Sequence, residues 1–475
     1  MMRRARRIAA VMAAALVISL SVSAKAPKYV FYFVGDGLGL NQVLGTQMYL
    51  ADLEGRIGIT PLCLAKFPFM GVATTFSASS YITDSAAAGT ALAGGEKTRN
   101  EVLAMLPDRK TPVVSIAEKA AEAGRQVAIG TTVSINHATP GVFYAHHANR
   151  NFFHNIGMQL GDSPFVQFIA GTDFQQAVDE KANDEGCYIN ALNNGFAIAR
   201  GYGDYREKAA KAKKMILLQK DEKGDKEHMP FSIDRKEGDM SLKEITTAAL
   251  DFMMKEPKKG FFMMIEGGRI DQACHGNDAA TCFKEVIDFD DAIKVAYDFY
   301  LEHKDETLIV VTADHETGAL GLGNGEYRLN LKVLQYQDMS EDAFSRHLTE
   351  IGQKTGDVLT WEEVDQELKM HFGFGDKIKL SPIQSGRLRS AYVETFGMGF
   401  GSAEKKSEEY YKVDKISDVA TQIISEIAQI SWGSGAHTAA YVPVFAIGNG
   451  AKAFTGQMDN TEIPVRIAAA AHYKW

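Results

Sequence analysis

Two hydrophobic rhythms alternate along the chain. In short runs almost every position is apolar or aromatic: Lys28-Tyr29-Val30-Phe31-Tyr32-Phe33-Val34, Gln126 to Thr132, Phe165 to Ala170, Gly260 to Ile265, Thr307 to Thr312 and Tyr441 to Ile447. A strand covered on both faces has this pattern, because neither face needs polar positions. Between these runs lie segments with helical spacing. Thr111 to Gly124 predicts a helix with a Thr-Pro start, apolar Val114, Ile116, Ala117 and Ala120, and a glycine stop; Ala279 to His303 predicts a longer one. Strands alternating with helices predict an α/β fold with a doubly wound, mostly parallel central sheet flanked by helices on both faces.

Two stretches break the rhythm. Lys208 to Gly238 is charge-rich and predicts a surface excursion around the short apolar run Met215 to Leu218. Residues 318–432 mix helical patterns with Phe372-Gly373-Phe374-Gly375 and Phe396-Gly397-Met398-Gly399-Phe400-Gly401, and predict a subdomain inserted between two core strands. The expected division is a leader over 1–24, core over 25–317, insertion over 318–432 and core again over 433–475.

Composition sharpens this picture at three points. Arg3, Arg4, Arg6 and Arg7 precede an apolar run from Ile8 to Leu20, and Val22-Ser23-Ala24 offers a small-x-small cleavage site. This order predicts a cleaved signal peptide and a periplasmic or secreted protein, since a membrane span needs about 20 apolar residues. Loss of residues 1–24 takes the formal net charge from −9 to −13. That disfavours nucleic-acid binding, which is not expected as a main role, and no stable membrane insertion is expected after cleavage. The cysteines, Cys63, Cys187, Cys274 and Cys282, are too few for a disulfide scaffold. Cys274 and Cys282 are close enough in sequence to pair, and four buried thiols are an equal alternative.

Candidate chemistry begins at Tyr81-Ile82-Thr83-Asp84-Ser85-Ala86-Ala87-Ala88-Gly89-Thr90 and continues to Thr98. Capping residues followed by tiny side chains put Ser85 at or just inside a helix N-terminus, where unpaired N–H groups and the helix dipole favour an anion. By itself this reads first as an ordinary cap on an Ala-rich helix. The strand ends add weight. Asp36 ends the first strand, Glu266 to Asp271 with His275 follow the Gly260 strand, Asp314-His315-Glu316 follow the Thr307 strand, and His437 precedes the last one. The edge formed by strand C-termini is where such sheets bind ligands, and Asp and His suit zinc while carboxylates with a hydroxyl suit magnesium.

Val34-Gly35-Asp36-Gly37, Tyr81 to Thr90, His137-Ala138-Thr139-Pro140, Glu266 to His275, Thr312-Ala313-Asp314-His315 and Gly435-Ala436-His437-Thr438 together resemble the motifs of the alkaline phosphatases, in order and with nearly the family's spacing. The resemblance implies a phosphomonoesterase with two Zn2+ and one Mg2+, a phosphoserine intermediate and a homodimer. Ser85 matches the nucleophile. Asp271, His275 and His437 match the ligands of one zinc, and Asp36, Asp314 and His315 those of the other. Glu266 and Thr139 join Asp36 at the magnesium. Arg150 matches the phosphate-clamping arginine, and Asp84 the residue that orients it. The 318–432 insertion falls where members carry a crown-like element. His137 and Gln272 depart from the best-known bacterial pattern, which has aspartate and lysine there; altered metal preference at the third position and a shifted pH optimum are expected. A phosphodiesterase or sulfatase of the same superfamily is the alternative. A non-catalytic phosphate or metal binder is weaker, since no matched residue is lost.

Overall fold

The computed structural model describes residues 26–182, 184–221, 224–356, 358–397, 404–405 and 412–475. The expected leader, and most of the Gly/Phe-rich stretch ending at Gly401, lie outside them. Ten strands form one sheet: β1 (Tyr29–Gly35), β2 (Phe69–Thr74), β3 (Gln126–Thr131), β4 (Val166–Gly171), β5 (Phe196–Arg200), β6 (Lys214–Leu218), β7 (Phe261–Gly267), β8 (Thr307–Ala313), β9 (Val442–Gly448) and β10 (Gly456–Asp459). Their order is β10-β2-β9-β8-β1-β7-β3-β4-β6-β5. Every pairing is parallel except those of β9, which runs against both β8 and β2.

Burial explains why the central strands are legible in the sequence. All seven residues of β1, β7 and β8 are buried. Alternate side chains of β1 meet helices on opposite faces. Tyr32 donates to the Leu92 carbonyl of helix α1 (Ser85–Gly94), 3.3 Å away. Phe31 and Phe33 pack edge-on against Phe299 and Phe289 of α4 (Ala279–Glu302). Two further helices, α2 (Leu242–Met253) and α3 (Arg269–His275), flank β7 in the chain. Among the described residues no helix is long and apolar enough to cross a membrane.

Two expectations are corrected, and three strands have no counterpart in the sequence pattern. The helix expected from Thr111 spans Ile116–Glu122, because Ser115 and Glu118 form a reciprocal capping box, while Pro112 bridges to Met105. The run inside the charge-rich stretch is no surface feature: Met215, Ile216, Leu217 and Leu218 are fully buried in β6, between β4 and β5. β2, β5 and β10 went unpredicted because they lie at or near the sheet margins, where partial exposure dilutes the apolar run. In β2, a Cβ on Gly71 would come within 2.5 Å of the Gly456 carbonyl, so the close pairing with β10 needs a residue that hydrophobicity does not reveal.

Between β8 and β9 the chain forms mainly helices: α5 (Glu341–Thr355), α6 (Trp361–Phe372), α7 (Pro382–Phe396) and α8 (Lys415–Ile427). Cys274 and Cys282 lie with sulfurs 3.4 Å apart, and all four cysteines are buried free thiols.

Past β4, buried Asp173 accepts from Arg200 at 2.9 Å, Lys226 at 2.6 Å and the Tyr188 hydroxyl. Burial opposes its ionisation, but these three donors outweigh it and hold the carboxyl below its usual range. A depressed carboxyl stabilises the fold above the unfolded value near 4 and loses that contribution as pH falls further. Asp173→Asn is therefore expected to cost about 2 kcal/mol at neutral pH and to flatten the acid limb of the Tm–pH curve, as read by calorimetry between pH 3 and 7.

Candidate metal and phosphate site

Parallel register brings the motifs to one edge. Gly35 of β1 pairs with Gly267 of β7 and Ala313 of β8, so the segments carrying Asp36, Asp271 and Asp314 leave the sheet side by side. β9 is reversed, so its N-terminal end lies at this same edge. The short strand His437–Thr438 then pairs with Glu316–Thr317 and stacks the His437 ring on His315, with centroids 3.5 Å apart. A parallel β9 would have put His437 at the far edge of the sheet.

Potential ligand atoms converge in three buried groups: Asp271 with His275 and His437; Asp36 with Asp314 and His315; Asp36 with Glu266 and His137. Within each, the atoms lie within 4.8 Å of one another. Thr139 Oγ1 is 3.5 Å from Asp36 Oδ2. Ser85 is the first residue of α1, fully buried, with Oγ 3.3 Å from His315 Nε2. The cap of that helix is Asp84, whose Oδ1 accepts from the Ala87 N–H at 3.0 Å. Its Oδ2 accepts from the Glu101 N–H at 3.0 Å and from Arg150 Nη1 at 3.2 Å. Arg150 Nη2 lies 3.0 Å from His137 Nε2; a guanidinium only donates, so this imidazole nitrogen accepts. Gln272 is turned to Arg269, whose Nη1 donates to its amide oxygen at 2.5 Å.

The electrostatics of this cluster point to cations. Burial, then the charges of Asp314, Asp271 and Glu266, push the Asp36 carboxyl well up; burial and the charges of Asp271 and Glu266 do the same to Asp314. Glu266 is pushed up to about 7 by burial. Asp271 goes the other way: burial alone would raise it, but His275 and His437 pull it well below its usual range. Burial holds the His137 and His315 imidazoles neutral, with Arg150 and His437 acting in the same direction. Asp36 Oδ1, Glu266 Oε1 and Asp314 Oδ2 are buried with no hydrogen-bond donor. Three buried carboxylate oxygens without hydrogen-bond donors suit divalent ions, so the donor set fits zinc and magnesium chemistry.

Sequence reasoning missed the groups that aim these ligands. His275 Nδ1 faces the Gly435 carbonyl and His437 Nδ1 the Thr83 carbonyl, each at 2.8 Å, which leaves both Nε2 atoms toward Asp271. Thr317 donates to Asp271, and Thr131 to Glu266 at 2.5 Å. Backbone carbonyls carry no sequence signal, and a threonine one strand away resembles any β-type residue.

The alkaline phosphatase family model matches residues 27–163 and 214–473. The chain therefore belongs to the alkaline phosphatase family, metal-dependent hydrolases acting on phosphate monoesters. It is 29% identical to alkaline phosphatase 3 of Bacillus subtilis over 94% of this chain and 89% of that one. The crystal structure of a cold-active alkaline phosphatase from the psychrophile Shewanella sp. superposes with TM-score 0.76 at 26% identity, covering 93% of this chain and 99% of that one. The alkaline phosphatase of Thermus thermophilus gives TM-score 0.76 and 26% identity over 95% and 92%.

The turn after β1 shows how tightly this edge is built. Gly37 has φ +72°, and a Cβ there would lie 2.8 Å from the Cα and Oδ1 of Asp271. Gly37→Ala is thus expected to displace Asp271 and lower kcat/KM on p-nitrophenyl phosphate about 100-fold, with reduced metal content by mass spectrometry.

Proposed function

We propose that this chain is an exported alkaline phosphatase that hydrolyses phosphate monoesters through a phosphoserine formed on Ser85, with two zinc ions and one magnesium ion. The observation that carries the reading is the set of unpaired buried carboxylate oxygens beside a serine at a helix N-terminus. Asp271, His275 and His437 would hold one zinc, Asp36, Asp314 and His315 the other, and Asp36, Thr139 and Glu266 the magnesium. Bound there, the ions would supply positive charge that lowers the serine pKa and stabilises the developing oxyanions.

The chain's own groups supply the rest. Ser85 Oγ attacks phosphorus and expels the alcohol; water then cleaves the phosphoserine and releases inorganic phosphate. Arg150, steadied by Asp84 and His137, presents a planar fork to two phosphate oxygens, a geometry that lysine would not match. The N-terminus of α1 adds a positive dipole end beneath the anion. His137 is a neutral acceptor where an aspartate would bind Arg150 as an ion pair, so Arg150 keeps Asp84 as its anionic anchor and the third metal position carries one negative charge less. Gln272 likewise brings no charge to the phosphate.

The direct pairing of β8 with β9 supports reading 318–432 as an insertion into a core of 25–317 and 433–475. The basic-then-apolar leader over 1–24 supports export. A homodimer completes this reading by family resemblance and is checked by light scattering of the mature chain.

Ser85→Ala is expected to lower the release of p-nitrophenol from its phosphate ester at least about 1,000-fold, and near-normal turnover would sink the assignment. Chelation should silence the wild type, with zinc restoring activity and magnesium raising it further. Equal rates on phosphate diesters or sulfate esters would instead favour another branch of the superfamily. His137→Asp should make activity more dependent on magnesium; an unchanged magnesium titration would remove the role given to His137.

A further inference from the structure

A second cluster of metal-ligating side chains lies away from the catalytic edge, in the helical segment between β8 and β9. Glu367 and His371 are one turn apart on α6 and share a face, and His347 comes to them from α5. One ligand atom from each lies within 4.8 Å of the other two. His347 Nε2 is 2.8 Å from Glu367 Oε2, and His371 Nε2 is 3.4 Å from the same oxygen. The helices also meet below the cluster, where the fully buried rings of Phe344 and Phe372 pack edge-on with centroids 5.0 Å apart.

Two features point beyond a hydrogen-bonded trio. First, His371 Nδ1 lies 2.8 Å from Asp338 Oδ1. In a neutral imidazole that contact puts the proton on Nδ1, and Nε2 then turns a lone pair toward a carboxylate oxygen. Consistent with this, His371 Nε2 is buried and makes no hydrogen bond. A cation between them converts the repulsion into ligation, and a carboxylate behind the imidazole is the usual support for a metal-bound histidine. Second, the spacing suits a small ion. Tetrahedral zinc with bonds of about 2.1 Å holds its ligand atoms about 3.4 Å apart, so the His371–Glu367 distance fits and the His347–Glu367 contact need only open by about half an ångström.

We infer that His347, Glu367 and His371, with Asp338 behind His371, form a zinc site that joins α5 to α6 outside the catalytic centre. Two imidazoles and one carboxylate favour zinc over magnesium or calcium, which prefer oxygen. Three protein ligands leave one position for water. The His347 side chain is 31% exposed and also lines a cavity of about 630 Å³ together with Asp338, Asp342 and Arg346, so an ion can enter without unfolding. None of these residues belongs to the catalytic groups, and the inference stands independently of how the catalytic edge is occupied.

The test is a metal count on the intact holoenzyme, loaded with Zn2+ and dialysed at fixed free zinc, for wild type, Glu367→Gln and His347→Gln. The wild type should retain one zinc more per chain than either variant, with kcat on p-nitrophenyl phosphate unchanged. Asp338→Asn should weaken that extra equivalent about 10- to 100-fold. His347→Gln, at the most exposed ligand, carries the test if Glu367→Gln does not fold. Equal zinc content in wild type and variants would overturn the site and leave a protonated His371 between two carboxylates as the account of the cluster.

Discussion

Four carboxylates, Asp36, Glu266, Asp271 and Asp314, are buried together at the edge of the sheet where β1, β7 and β8 end. Two such charges about 5 Å apart repel by on the order of 3 kcal/mol at an effective dielectric constant near 20. His275 and His437 offset part of this around Asp271, and burial leaves three carboxylate oxygens without donors. The fold therefore holds a concentration of negative charge that it does not itself neutralise, and divalent ions would neutralise it. Much of the surrounding architecture keeps that arrangement from relaxing: the fully buried strands, the carbonyls that fix the histidine tautomers, and the positive-φ turn at Gly37.

The serine helix is shaped by the same constraint. All ten residues of α1 are buried, and their small side chains let neighbouring segments lie close. A Cβ on Gly89 would stand 3.1 Å from Val142, and one on Gly94 only 2.1 Å from Val113. Asp84 links this helix to Arg150, since one carboxylate caps α1 and accepts from the guanidinium. Cap and arginine anchor are thus one residue, so the position of Ser85 and the direction of the guanidinium are set together.

The insertion between β8 and β9 is built on different terms. Its helices start at capping residues, Ser340, Thr360, Ser381 and Asp414, and bury Phe344, Leu368, Phe372, Leu388 and Ile423 in a hydrophobic core continuous with that of the sheet. Its charged clusters are partly exposed, where water can share the load, in contrast to the fully buried cluster at the strand ends. A metal there would act as a cross-link between helices, a structural role that needs no open reaction path.

Local patterning was enough to read the central strands, the alternation that makes the sheet mostly parallel, and the polar residues at its strand ends. These are local signals: a strand buried on both faces must be apolar throughout, and a capped Ala-rich helix declares itself in a few residues. Family resemblance then grouped Asp36, Ser85, Arg150, Glu266 and His437 into one site. Tertiary structure alone decided that β9 runs backwards and so delivers His437 to the right edge, that Met215 to Leu218 is a core strand, and that Thr317, Thr131 and two backbone carbonyls aim the ligands. Reversal of a strand, burial of a short run and the partner of a carbonyl depend on residues far away in the chain. No local window contains that information.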